Sequence, residues 1–139
     1  MILRPGNIWS GNRQLAVFTN PTELAFRKGN LKHHYPIVFC GDEWPDVEAA
    51  YQQCRNPKWD LNAKLDLMSA MIERKLVMYP LIAQTISNSG GALWIAKCSH
   101  FTGARTKRFQ AWEGKGLHSL FIFCLHQAYI AWRQKGAQS

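Results

Sequence analysis

An α+β, mainly helical fold is predicted for this chain by three observations. The first is helical spacing of apolar residues in two long segments. Leu65, Met68, Ile72, Leu76 and Tyr79 mark one, from about Ala63 to Tyr79. Leu117, Leu120, Phe121, Cys124, Leu125, Ala128 and Trp132 give the other a broad apolar stripe. The second is a short apolar, β-branched run, Tyr35 to Cys40, bounded by Pro36 and Gly41-Asp42, which reads as a strand. The third is length. The 139 residues suffice for one domain with a real core and are too few for two ordinary ones. No internal repeat or low-complexity linker divides them. The expectation is one compact domain over residues 1–139, with a few short strands.

Residues 1 to 14 are irregular, with Pro5, Gly6, Asn7, Gly11 and Asn12 as turn formers. Leu15 to Phe18 is a short β-prone run. Thr19-Asn20-Pro21-Thr22 breaks it, and Asn20 or Thr22 suits the cap of a helical turn. Gly41-Asp42 reads as the tight turn of a hairpin or of a strand-to-helix junction. A helix follows from about Pro45 to Arg55, with Pro45 at its first position and Asp46 and Glu48 in its first turn. Asn56-Pro57 ends it. Asp60 or Asn62 caps the first long helix, and Pro80 interrupts it. A short helix from about Leu81 to Ser87 stops at Asn88-Ser89-Gly90-Gly91. Leu93 to Lys97 is a candidate strand. Ser99 to Trp112 is polar, basic and weakly periodic, a loop with room for one short strand. The last helix begins near Gly116, and Gly136 suits its stop.

Composition narrows the function. Seventeen Lys and Arg against nine Asp and Glu give a net charge of +8, which favours an anionic partner. The basic residues are scattered, with local clusters at Arg27, Lys28 and Lys32 and at Arg105, Lys107 and Arg108. Six Trp in so short a chain point to stacking of flat ligands as well as to core. Cys40, Cys54, Cys98 and Cys124 form no CxxC pair and read as reduced thiols of a cytoplasmic protein. Cys98 and His100 lack a matching second pair of metal ligands. The N-terminus lacks the pattern of a signal peptide. His118, Ser119, His126 and Gln127 interrupt the longest apolar run, so no membrane partner is expected.

Two constellations carry chemistry. On the helix from Pro45 to Arg55, Val47, Ala50, Tyr51 and Cys54 make one apolar face. Glu48, Gln52 and Arg55 line another stripe, a carboxylate, an amide and a guanidinium. Glu48 and Arg55 stand about 10 Å apart along the axis, a separation that suits a ligand between them. The second constellation is Trp112-Glu113-Gly114-Lys115-Gly116-Leu117-His118-Ser119. Two glycines around a lysine before a helix suit a phosphate, and Trp112 suits a stacked base. The spacing is not that of a Walker motif. Of the five histidines, His118 is nearest this site. No nucleophile elbow or Ser/His/Asp order is visible.

Together the two constellations resemble the NADAR family, which includes the riboflavin-intermediate N-glycosidases. The family's Gly-x-x-Trp-Pro-x-x-Glu turn and helix is matched by Gly41, Trp44, Pro45 and Glu48, continuing with Tyr51, Gln52 and Arg55. Phe18-Thr19-Asn20 is similar to its Ser-Asn-Phe-like segment. Trp112, Gly114, Gly116, His118 and Leu120 are similar in order and spacing to its Trp and Gly-x-Gly-x-Asn-x-Leu-Gly element. Arg55 stands where the family commonly has lysine, and His118 where it has asparagine. A guanidinium cannot form a Schiff base, so the resemblance is to a divergent member of the family.

The resemblance implies an α+β, mainly helical N-glycosidase fold. It also implies hydrolysis of the N-glycosidic bond of a phosphorylated N-riboside, or of ADP-ribose attached to guanine, including guanine in nucleic acid. On this expectation Glu48, Gln52 and Arg55 are catalytic. Asn20, Trp44, Trp112, Gly114, Lys115, Gly116 and His118 bind substrate. No metal or cofactor is required, and the basic loop at Arg105 to Arg108 tracks a nucleic-acid backbone. The rival expectation is a non-catalytic nucleotide, ADP-ribose or nucleic-acid binding module.

Overall fold

A computed structural model describes residues 2–138. The fold is α+β and mainly helical. After an irregular start, a 3-10 turn spans Ala16–Phe18 and helix α1 spans Thr22–Arg27. Strands β1 (Ile37–Phe39) and β2 (Asp42–Trp44) form an antiparallel hairpin, with Phe39 opposite Asp42. Cys40 (φ 51°) and Gly41 (φ 83°) form its two-residue loop. Two positive φ values in succession match the right-handed twist of the strands. Of the two readings of Gly41-Asp42, the hairpin is the one that forms, with its loop one residue earlier, at Cys40-Gly41; Asp and Glu are poor strand formers, and pairing with β1 recruits Asp42–Trp44.

Helix α2 spans Val47–Cys54, capped by Asp46 rather than entered at Pro45. The Asp46 carboxylate accepts from the Ala49 N–H at 2.8 Å and from the Glu23 N–H at 3.0 Å, so it also ties down the first turn of α1. Helix α3 spans Leu61–Met78, with Asp60 as its cap, and α4 spans Pro80–Ser89. Gly90 (φ 137°) and Gly91 (φ 68°) then turn the chain into a short helix, α5, at Ala92–Ala96. This corrects the strand expected at Leu93 to Lys97. Five apolar residues cannot fix a period, and burial of Trp94, Ile95 and Cys98 on one side follows a helical turn. Leu15 to Phe18 is likewise a 3-10 turn rather than extended.

Strand β3 (Ser99–His100) pairs with β4 (Gly114–Lys115), and helix α6 (Lys107–Gln110) lies between them. A second 3-10 turn, Gly116–His118, leads into α7, Leu120–Gln138. Gly136 therefore lies inside α7 rather than ending it. Among the described residues no helix is long and apolar enough to cross a membrane.

Helices α3 and α7 pack along each other more extensively than any other pair. Met71, Ile72 and Leu76 from α3 and Phe121, Ile122, Leu125 and Tyr129 from α7 fill the core. Helices α4 and α5 cover one side with Ile82, Ile86, Trp94 and Ile95. Helix α2 adds Val47, Ala50 and Tyr51, and β1 adds Ile37. Lys75, fully buried on α3, donates to the carbonyls of Val17 at 2.6 Å and Thr19 at 2.8 Å. These bonds pin the segment leading to Asn20.

Candidate functional site

A cleft of about 360 Å³ opens where five chain segments meet. Helix α2 contributes Glu48, Tyr51 and Gln52 to it. The segment before α1 contributes Thr19, Asn20 and Pro21. Trp9 and Ser10 come from the N-terminal segment, and His100 and Thr102 from β3 and the loop after it. Phe109 and Trp112 form an aromatic wall.

Local bonds explain each placement. The Glu48 N–H donates to the Asn20 carbonyl at 3.4 Å, which seats the first turn of α2 on the Thr19-Asn20 segment. The Asn20 amide is buried and donates to the Met68 thioether, a weak acceptor that a ligand oxygen can displace. Thr19 is buried on the cleft wall, and its hydroxyl has no hydrogen-bond partner among the described residues. Such a group costs stability until something pairs with it. The N-terminal segment runs beside β3: Ile8 donates to the Ser99 carbonyl at 2.8 Å, and the Asn7 side chain bonds both backbone groups of Phe101. This contact brings Trp9 and Ser10 to His100. Lys28 reaches over Trp9, 4.8 Å from a ring centroid, and donates to the Ser10 hydroxyl at 2.7 Å.

The stripe on α2 closes on itself. Gln52 donates to the Glu48 carboxyl at 3.0 Å, and Arg55 Nε donates to the Gln52 carbonyl oxygen at 3.0 Å. Gln52 thus fills the interval in which a ligand was expected between Glu48 and Arg55. Glu48 faces the cleft with Gln52, whereas Arg55 lines a neighbouring cavity. Burial raises the proton affinity of Glu48. The Gln52 bond and Arg108 oppose that shift, and Asp46 adds to it. Desolvation therefore outweighs the helix N-terminus, which by itself favours the charged form.

Of the five histidines, all possible acid–base groups by sequence, His100 rather than His118 is the one that lines the cleft. Its Nδ1 lies 2.7 Å from the Ile8 carbonyl, which can only accept, so Nδ1 carries the hydrogen and Nε2 is left with a lone pair. Burial lowers its pKa below the usual histidine value, against the Ile8 bond and Glu113, which raise it. An imidazole whose pKa burial lowers and a carboxyl whose pKa burial raises therefore share one cleft. Among the described residues no three His, Cys, Asp or Glu converge as a metal site. Cys98 is buried, with its thiol directed to the Trp94 carbonyl at 3.4 Å.

Trp112 lines the cleft, edge to face with Tyr51 at 5.4 Å. Its carbonyl accepts from the Ser119 hydroxyl at 2.7 Å and from the Phe121 N–H at 3.3 Å. Trp44 lies elsewhere: its indole N–H donates to the Phe39 carbonyl at 3.2 Å and braces the hairpin. Gly114, Lys115, Gly116 and His118 also line neither cavity. A Cβ on Gly116 (φ 58°) would stand 2.7 Å from the Ala96 carbonyl, and one on Gly114 would stand 3.0 Å from the Ser119 backbone. Both glycines thus serve close packing. The start of α7 is already occupied. Ile122 donates to the Ser119 hydroxyl, Phe123 to the Ser119 carbonyl and Phe121 to Trp112. Lys115 and His118 are exposed.

No protein family, no characterised protein and no solved structure was found to match the chain.

Proposed function

We propose that the cleft hydrolyses an N-glycosidic bond between ribose and a flat nitrogenous base. The substrate class is a phosphorylated N-riboside or ADP-ribose attached to guanine. One observation carries this reading: a half-buried carboxyl, Glu48, bonded to Gln52, faces an aromatic-walled cleft that also holds the His100 imidazole. The resemblance to the NADAR family through Trp44-Pro45, Glu48, Gln52 and Trp112 supports it.

In this mechanism the base stacks against Trp112 and Phe109, and Asn20 and Thr19 meet ribose hydroxyls. Glu48, protonated, gives its hydrogen to the departing base nitrogen as the C1′–N bond breaks. The carboxylate so formed faces the positive charge that develops on the ribose. Water adds its oxygen to C1′, and His100 Nε2 takes the released proton. Exchange with solvent returns that proton to Glu48. Gln52, held by Arg55, keeps the Glu48 carboxyl in one orientation. No step uses an amine nucleophile, so Arg55 in place of the family's lysine is compatible with turnover.

The test is a panel of N-ribosyl and ADP-ribosyl compounds, with free base as the readout. Glu48→Gln keeps the shape and the Gln52 contact while removing the acid. Its rate is expected to fall roughly 10²- to 10⁴-fold. Full activity in a well-folded Glu48→Gln protein removes Glu48 from the mechanism. The charge of +8 and the arginine at position 55 favour a second reading, a nucleotide or nucleic-acid binding module without turnover. Salt-steep affinity for DNA or RNA with no base release would establish that reading instead.

A further inference from the structure

A second cavity, of about 200 Å³, shares Gln52, Phe109 and Trp112 with the cleft. Its charged wall is Arg55, Lys64 and Arg108. These come from the end of α2, the first turn of α3 and helix α6. The ion pairs among the described residues are Glu23–His34 and Glu73–Lys135, so no carboxylate pairs with any of the three. Three cations gathered on one small wall repel each other, and a multiply charged anion relieves that repulsion. Arg55 is already oriented, because Gln52 accepts from its Nε and leaves the terminal N–H groups as a fork. Arg108 lies over the Phe109 ring, 4.6 Å from the centroid, which leaves its N–H edge available in the guanidinium plane.

We infer that this basic cavity takes the phosphoryl group of the ligand whose base occupies the cleft. The inference rests on the N-glycosidase reading for the identity of that base. It assigns the phosphate to Arg55, Lys64 and Arg108 instead of the Gly114 to Gly116 turn. The shared wall at Gln52 and Trp112 makes the two cavities halves of one site. Filling the basic half also prepares the acid. Arg108 draws Glu48 toward its charged form, and a phosphoryl group beside Arg108 offsets that pull.

The test measures binding apart from turnover. Inorganic pyrophosphate is titrated calorimetrically into the full chain at low salt. The comparison variants are Lys64→Gln with Arg108→Gln, Arg55→Gln, and Lys97→Gln as an equal charge change outside both cavities. Among the described residues no side-chain hydrogen bond joins Lys64 or Arg108 to the cleft, so their double variant keeps the fold if Arg55→Gln disturbs Gln52. Affinity should fall at least about tenfold in each basic-cavity variant and stay near wild type in Lys97→Gln. A matched nucleoside and nucleoside 5′-phosphate should differ in affinity in the wild type and converge in the double variant. Equal loss in all variants, no loss in any, or, in a Lys115→Gln variant measured alongside them, loss confined to that variant would overturn the assignment. Phosphate-dependent binding with no base release from any compound would sink the hydrolase reading and leave this one standing. Base release equally fast with and without phosphate, and in the double variant, would do the reverse.

Discussion

Replacing Lys75 by Met tests how the cleft floor is held. Lys75 is fully buried, and burial lowers its pKa from 10.5 to about 7, with Asp46 opposing the shift. The unfolded chain keeps this proton up to its ordinary value of 10.5, while the folded chain releases it near 7. Between those values the unfolded state binds more protons, so stability rises with pH. From about pH 6 to about pH 8.5 the gain from this one group is about 2 kcal/mol, at a limiting slope of about 1.4 kcal/mol per pH unit. Lys75→Met removes that gain and leaves the carbonyls of Val17 and Thr19 without a donor. Each orphaned acceptor costs about 1–3 kcal/mol. The assay is urea unfolding followed by tryptophan fluorescence for both proteins across this range. Subtraction is needed because His100, whose pKa is also lowered, adds stability in the same direction as pH rises. The variant should be less stable throughout, and its deficit should widen by about 2 kcal/mol toward alkaline pH. A deficit independent of pH would refute the reasoning that burial lowers the Lys75 pKa. A variant as stable as wild type would show that the two carbonyls need no donor.

His100→Asn should remove the acid limb of the pH–rate profile and slow base release roughly 10²-fold, read from kcat against pH. In the wild type the His100 contribution to the rate falls as pH drops through its lowered pKa, and the Glu48 contribution falls as pH rises through its raised pKa. Gly116→Ala should cost about 2 kcal/mol or more, from the positive φ and the Ala96 carbonyl in its path, measured as a shift of the urea midpoint. Ligand affinity of the folded fraction should not change. Trp44→Phe loses one hydrogen bond to Phe39, about 1 kcal/mol, again with no effect on ligand affinity.

Helices α2, α3 and α7 were legible because each repeats apolar residues long enough for a period to show. Their polar faces were legible with them, which is why Glu48 and Gln52 were found before the cleft was known. Helix α5 was not, since five residues carry no period. That Trp9, Thr19 and His100 meet in the cleft was hidden for a different reason. The His100–Ile8 bond joins positions 92 apart, and no local pattern announces it. The Gly114 to Gly116 turn misled in an informative way. A glycine that lets a phosphate approach and one that lets a carbonyl approach look the same in sequence.

Asp46 has a consequence for how the two walls of the cleft hold together. One carboxylate accepts from the first turns of both α1 and α2, and the Glu48 N–H leans on Asn20 between them. The wall made by residues 19 to 24 and the wall made by residues 48 to 52 are therefore fastened at one point. They should behave as a single cooperative unit, gaining and losing amide-exchange protection together. A ligand that orders either wall then also steadies the other, and the cleft responds to its occupant as one unit rather than as two independent loops.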